Sequence, residues 1–229
     1  MATGGRDSGD RPLAVRVRVR SAGRRKPSSA EWLKRQLNDP YVAAARREGY
    51  RSRAAFKLIE LDERFHLLRR GGRVLDLGCA PGGWTQVAIE RVGRQGRVVG
   101  VDLAETPPIA GATVLRADLT DPAAVDAVKQ ALGGGADIML SDMAPATTGH
   151  AATDHLRIVA LAEAAFAIAE VILVPGGIFV AKVFQGGAEG ELLARLKQSF
   201  AELRHAKPPA SRAESAETYV VAKGFRKRA

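Results

Sequence analysis

The sequence predicts an α/β fold, a doubly wound and mostly parallel sheet with helices on both faces. Three observations predict it. From Arg73 onward short apolar runs alternate with segments of helical spacing. A glycine loop, Gly78-Cys79-Ala80-Pro81-Gly82-Gly83, joins the first run to the first such helix. Three successive runs also carry an acid at or near their ends, Asp76, Asp102 and Asp118.

Each element has its own reason. Ser28 followed by Glu31 makes a capping box ahead of Trp32-Leu33, and Asn38-Asp39-Pro40 breaks that helix. Ser52 to Leu67 has helical spacing at Phe56, Ile59, Leu61 and Phe65. Residues 73–77 read as a buried parallel strand, and its glycines let the chain turn sharply into a helix over 84–92. The alternation continues through 97–101, 113–117, 121–132, 136–141, 154–173, 177–183, 189–203 and 217–223, which implies right-handed crossovers. Residues 1–27, rich in Gly, Ser, Arg and Pro, read as a basic disordered arm, although Ala14 to Arg20 alternates as an edge strand does. The early acids and the missing apolar face count against a mitochondrial presequence. Residues 28–229 then form one domain, a helical segment at 28–70 followed by a Rossmann-like core at 71–225.

The composition bounds the function. One cysteine, Cys79, excludes an internal disulfide, and inside the glycine loop it reads as a small packing residue. His66, His150, His155 and His205 lack the spacing of metal ligands, so no metal is expected. No apolar run approaches the ~20 residues of a membrane span, so the expectation is a soluble, cytoplasmic protein. The 35 basic and 25 acidic residues leave a net charge of +10 and point to a polyanionic partner. Arg6, Arg11, Arg16, Arg18, Arg20, Arg24, Arg25 and Lys26 against Asp7 and Asp10 place six of those charges in the arm.

The loop is not the GxGxxG of a dinucleotide site. Pro81 and Trp84 crowd a turn that would otherwise wrap a pyrophosphate, and Asp76 repels phosphate while attracting a cation. A nicotinamide dehydrogenase is thereby excluded. S-adenosylmethionine fits better, with an ammonium, a sulfonium and no phosphate. Asp102 is placed like the acid that binds ribose hydroxyls, and Asp118 could reach the adenine amino group. Any one of these acids alone also reads as a polar strand end or helix cap.

Five blocks then occur in order: Arg51-Ser52-Arg53-Ala54-Ala55-Phe56-Lys57-Leu58; the run from Asp76 to Trp84; Ser141-Asp142-Met143-Ala144-Pro145; Val180-Ala181-Lys182-Val183-Phe184-Gln185-Gly186; and Ser211 to Tyr219. Over about residues 28 to 225 the chain resembles the FtsJ (RrmJ) family of ribosomal RNA large-subunit 2′-O-methyltransferases. The resemblance implies a class I S-adenosylmethionine-dependent methyltransferase with a mostly parallel seven-stranded sheet. It implies a catalytic tetrad of Lys57, Asp142, Lys182 and Glu217, with Lys182 as proton acceptor. It implies cofactor binding by Asp76, Gly78, Gly82, Gly83, Trp84, Asp102, Asp118 and Asp142, and RNA contacts at Arg51, Arg53, Lys57, Arg212 and Tyr219. The implied substrate is a uridine in the A-loop of 23S ribosomal RNA in the large ribosomal subunit, acted on by a monomer. Ala146 departs from the family pattern, which commonly has Asn there.

The residues also make sense without the family. Asp142 follows the strand at 136–141 and Lys182 lies near the end of the strand at 177–183, so both can face one crevice. An unpaired Lys182 ammonium in Ile178-Phe179-Val180-Ala181-Lys182-Val183-Phe184 would be costly, so a structural ion pair with Asp142 or Glu217 is the alternative to a catalytic role. Lys57, on an amphipathic helix, reads from residues alone as a solvated lysine. Lys182 could accept the ribose proton or steer the hydroxyl, and Tyr219 could contact the nucleotide or pack as a strand residue. Methylation of transfer RNA or of a messenger-RNA cap remains an alternative, as does a non-enzymatic RNA-binding assembly factor. The retained acids and tetrad favour the enzyme.

Overall fold

The computed structural model describes residues 38–145, 148–184 and 190–227. The basic arm, the Ser28–Glu31 capping box, Ala146 and the Gln185-Gly186 end of the fourth block lie outside the described residues. The chain divides into residues 1–43 and 44–229. In the first, Asp39 Oδ1 accepts from the Tyr41 N–H at the start of helix α1, Pro40–Glu48.

In the second unit the order is α2 (Ala54–Phe65), β1 (Arg73–Leu77), α3 (Gly83–Val92), β2 (Arg97–Asp102), β3 (Thr113–Arg116), α4 (Pro122–Leu132), β4 (Ala136–Ser141), α5 (Ala151–Ile172), β5 (Leu173–Phe184), α6 (Gly190–Ser199), β6 (Phe200–Ala206) and β7 (Glu217–Phe225). The strands form one sheet in the order β3-β2-β1-β4-β5-β7-β6. β1 to β5 pair in parallel, while β7 runs antiparallel to both β5 and β6. The predicted α/β class and the mostly parallel seven-stranded sheet are both observed.

The apolar strands are continuous because both faces are covered. Leu75, Val99, Met139, Phe179, Ala181 and Val220 pack with Phe166 and Leu196 of α5 and α6. Their neighbours in sequence, Val74, Val98, Ile138, Val180 and Val221, point to the other face, against Leu58 and Leu61 of α2 and Val87 of α3. The sheet order reverses between β1 and β4, where a doubly wound fold opens its ligand crevice at the strand C-termini.

One element departs from the sequence reading. The helix expected over 189–203 ends at Ser199, and 200–206 is an edge strand. Ala201, Glu202, Leu203 and Arg204 are good helix formers, and only Phe200 and Ala206 of β6 are buried, so no alternation marks the strand. Pairing with β7 from Phe200↔Phe225 to Ala206↔Tyr219 overrides the local preference.

Candidate active site

β1 delivers the glycine loop. Gly78 has φ +69°, and a Cβ there would stand 2.6 Å from Met143 Cγ, so the loop can lie against the segment after β4 only with glycine. At Gly83 a Cβ would meet Ser52 Oγ at 2.3 Å, so this glycine lets α3 close on the entry to α2. Above the loop lies a cavity of about 480 Å³. Gly78, Asp102, Asp118 and Asp142 line its polar side, and Leu103, Leu119, Leu161 and Ile168 its apolar side. Asp102 holds the loop as well, since Oδ2 accepts from the Ala80 N–H at 2.9 Å and Oδ1 from the Ala104 N–H at 2.8 Å. Hydrogen bonds from Thr120 hold the exposed Asp118 carboxyl below its ordinary value.

Four residues expected at the cofactor do not line the cavity. Asp76 does not line the cavity; it is 1% exposed, and its Oδ2 accepts from Thr85 Oγ1 at 2.6 Å, anchoring the first turn of α3 from beneath. The Trp84 indole is likewise buried and donates to Ala54 O at 2.7 Å, while its ring stacks obliquely on Tyr219. Gly82, Gly83 and Trp84 are not among the cavity-lining residues, and what they can present to a ligand is backbone N–H at the opening of α3.

Burial raises the Asp76 carboxyl to about 7 from 3.8, against the hydrogen bond from Thr85 and with help from the charges of Asp142 and Asp102. An acid whose folded value lies above its unfolded one binds its proton more tightly when folded. Its contribution to stability is therefore greatest below about pH 4 and declines as pH rises to about 7. Asp76→Asn, which keeps an acceptor for Thr85, should gain stability relative to wild type across that window, by on the order of a few kcal/mol at pH 8. Denaturant midpoints at pH 5 and pH 8 test this, and a constant difference between the two proteins would mean that Asp76 is ionised throughout.

The tetrad residues come together from four elements. Lys182 on β5 pairs in register with Tyr219 on β7, and Glu217 lies two residues earlier, on the face covered by α2. Lys57 descends from α2 to Glu217 Oε1 at 2.7 Å and faces Asp142 Oδ1 at 3.8 Å. Lys182 Nζ donates to Asp142 Oδ1 at 3.0 Å and to the Asp142 carbonyl at 2.7 Å. The four side chains keep only 6 to 17% of their exposure. Burial alone would raise the Asp142 carboxyl, but the Lys182 and Lys57 cations and the bonds from Tyr219 and Lys182 hold it below the ordinary range. Asp142 thus belongs to both the cavity and the charged cluster.

Of the two readings of Tyr219, contact with the nucleotide or packing as a strand residue, the structure fits the second: it is fully buried, its hydroxyl donates to Asp142 Oδ1 at 2.6 Å and lies 3.3 Å from Glu217 Oε1. Burial and then the two carboxylates push its pKa well above 10, which keeps it a donor. The antiparallel register of β5 and β7 would have shown this, but the sequence does not mark strand direction. Two of the arginines expected at RNA, Arg51 and Arg53, bind main-chain carbonyls within the chain. Arg51 reaches Pro81 O, Pro107 O and Pro108 O at 3.2, 2.7 and 2.6 Å, tying the glycine loop to the β2–β3 connection. Arg53 reaches Ala210 O at 2.6 Å. Arg212 sits half-buried in the connection from β6 to β7. No group of three His, Cys, Asp or Glu among the described residues could hold a metal, and no described helix is long and apolar enough to cross a membrane.

A glycine loop at the switch point, acids at successive strand ends and an antiparallel β7 inserted beside the edge strand define a Rossmann-like methyltransferase. The FtsJ-like methyltransferase family matches residues 50–225, and the chain belongs to that family. It is 58% identical over 240 residues to the ribosomal RNA large subunit methyltransferase E of Paramagnetospirillum magneticum, covering 99% of this chain and 98% of that one. It is 60% identical to the protein of that name from Acidiphilium cryptum, over 92% of each. Among solved structures, a protein described as a ribosomal RNA methyltransferase from Plasmodium falciparum superposes with a TM-score of 0.69 at 31% identity, covering 78% of this chain and 100% of its own.

Proposed function

We propose that this chain transfers the methyl group of S-adenosylmethionine to a ribose 2′-hydroxyl of RNA, a uridine in the A-loop of 23S ribosomal RNA within the large ribosomal subunit. The observation that carries the reading is the shared position of Asp142, one carboxylate lining the cavity and anchoring the buried lysine pair. The relatives' names supply the RNA and the subunit.

The cavity suits the cofactor chemically. Its volume lies in the usual range for small-molecule sites. Asp102 and Asp118 offer acceptors for ribose hydroxyls and an amino group, the leucines offer an apolar slot for a flat base, and Asp142 offers a negative charge to a cation. When bound, S-adenosylmethionine supplies an electrophilic methyl group on a positively charged sulfur. The protein's own task is to set the 2′-oxygen in line with it, which is where positioning contributes most. Lys182, bound to the Asp142 carboxylate that lines the cavity, orients that hydroxyl and, in its neutral amine form, accepts its proton. Lys57 and Glu217 hold the second charge pair behind it, so that Lys182 and Asp142 keep one geometry.

Asp102→Ala is expected to weaken S-adenosylmethionine binding by about tenfold to a hundredfold, the worth of one to two bonds to a charged acceptor. Calorimetric titration checks this, and unchanged affinity would remove Asp102 from the cofactor site. The reading as a whole is tested by incubating labelled S-adenosylmethionine with large subunits from cells lacking the enzyme and mapping the labelled nucleotide. Label on a ribose of the A-loop supports it; label on transfer RNA or a cap alone, or none, overturns it.

A further inference from the structure

Ten residues, 207–216, connect β6 to β7 and lead into Glu217, and several of their polar groups are hydrogen-bonded. Thr218 Oγ1 donates to Ala206 O at 2.9 Å, closing the base of the connection. Lys207 Nζ donates to Ala213 O at 3.0 Å and to Ser215 O at 2.6 Å, gathering its far side. At its middle both backbone groups of Ala210 are held from the α2 side. Arg53 donates to the carbonyl at 2.6 Å, and the N–H donates to Glu60 Oε2 at 2.6 Å. Arg53, Lys57 and Glu60 are spaced four and three apart, so the face of α2 that grips Ala210 also carries Lys57.

The next residue bears on the site. Ser211 is buried, its N–H donates to Pro208 O, and its hydroxyl donates to Glu217 Oε1 at 2.8 Å. That oxygen also takes Lys57 Nζ at 2.7 Å and lies 3.3 Å from the Tyr219 hydroxyl. The Glu217 N–H is meanwhile donated to Ser215 Oγ at 3.1 Å. Two donors, Ser211 and Lys57, converging on one oxygen select a single orientation of the carboxylate. Without Ser211 the carboxylate could swing and draw Lys57 away from Asp142.

We propose that Ser211 is a positioning residue for methyl transfer, acting through Glu217 on the Lys57–Asp142–Lys182 array, and that the grip of Arg53 and Glu60 on Ala210 sets the hydroxyl at its place. The proposal rests on the reading of the chain as an RNA 2′-O-methyltransferase. A merely structural hydrogen bond in a surface connection would affect melting and leave the bound-state rate alone. A positioning bond affects the rate of the bound complex and leaves cofactor affinity alone, because Ser211 does not line the cavity.

The test is the single-turnover rate on large ribosomal subunits, with S-adenosylmethionine and subunits both saturating. Ser211→Ala should lower it about tenfold, the worth of one charge-assisted bond, with cofactor Kd within about twofold of wild type. In a Glu217→Ala background the same substitution should change the rate less than about twofold, since the partner is gone. Glu60→Ala, which releases Ala210 but leaves Ser211 in place, should lower the wild-type rate in the same direction. Should Ser211→Ala fail to fold, Ser211→Cys, similar in volume and a poor donor, carries the same expectation. An unchanged rate, or a tenfold loss that persists without Glu217, overturns the proposal. Absence of transfer by the wild-type protein would overturn the underlying reading together with it, and is seen in the control rather than in the ratio.

Discussion

Lys182→Ala is expected to abolish measurable methyl transfer, lowering the rate by roughly 10² to 10⁴, the usual contribution of a positioned proton acceptor. Cofactor affinity should stay within about threefold, because Lys182 is not among the cavity-lining residues, whereas Asp142, which is, remains. The fold should survive. Asp142 would lose the ammonium at 3.0 Å but keep the Tyr219 hydroxyl at 2.6 Å and Lys57 at 3.8 Å. The experiment therefore separates the two explanations for a buried lysine. Loss of transfer with an intact melting curve and intact cofactor titration assigns the residue to chemistry. Robust turnover by the variant would refute the assignment, and a collapse in melting temperature would show that the ion pair is structural.

The parts of the site that were legible in the sequence are those written in consecutive residues. The run from Val74 to Trp84 gives a strand, a loop and a helix start, because a buried parallel strand must be apolar throughout and a tight turn against Met143 needs glycine. Asp102 and Asp118 were legible because strand ends in a doubly wound sheet share one crevice. What was not legible depended on direction or on distant partners. Asp76 and Asp102 look alike at their strand ends, yet Thr85, nine residues on, draws Asp76 down under α3. Tyr219 reads as a strand residue, and only the antiparallel register beside Lys182 places its hydroxyl on Asp142. Ser211 opens the fifth block, but nothing local marks its partner, which is six residues away across a folded connection.

The family resemblance implies RNA contacts at Arg51 and Arg53, and both guanidiniums have partners within the chain. A sequence rich in arginine invites a phosphate at each one. Here Arg51 and Arg53 precede α2 at the point where the glycine loop and the β6–β7 connection both converge, and each guanidinium satisfies backbone carbonyls there. They fix the two loops between which the tetrad is built. A contribution of either residue to RNA binding would act through an arrangement that the protein already uses internally.

Asp142→Ala carries the largest combined effect, because this carboxylate serves two sites at once. Its removal leaves the Lys182 ammonium, 6% exposed, with the backbone carbonyl of residue 142 as its acceptor among the described residues, and it leaves Tyr219 with Glu217 at 3.3 Å. Breaking a buried pair by removing one partner typically costs about 3 to 5 kcal/mol, since the remaining charge is still desolvated. For a chain of this size that corresponds to a fall in Tm of roughly 6 to 20 °C. The depressed Asp142 carboxyl fixes the sign of the pH dependence. Its stabilisation is present above the ordinary value of 3.8 and is lost as pH falls below that towards the folded value, so the deficit of the variant should be constant from pH 6 to 8 and shrink in acid. Transfer and cofactor affinity should both fail, unlike the Lys182 variant, which keeps affinity. Asp142→Asn, which preserves acceptors for Tyr219 and Lys182 but removes the charge, should melt between the alanine variant and wild type. Melting curves at pH 7 with parallel calorimetry decide the matter: an alanine variant as stable as wild type would show that the buried lysines are not coupled through this carboxylate.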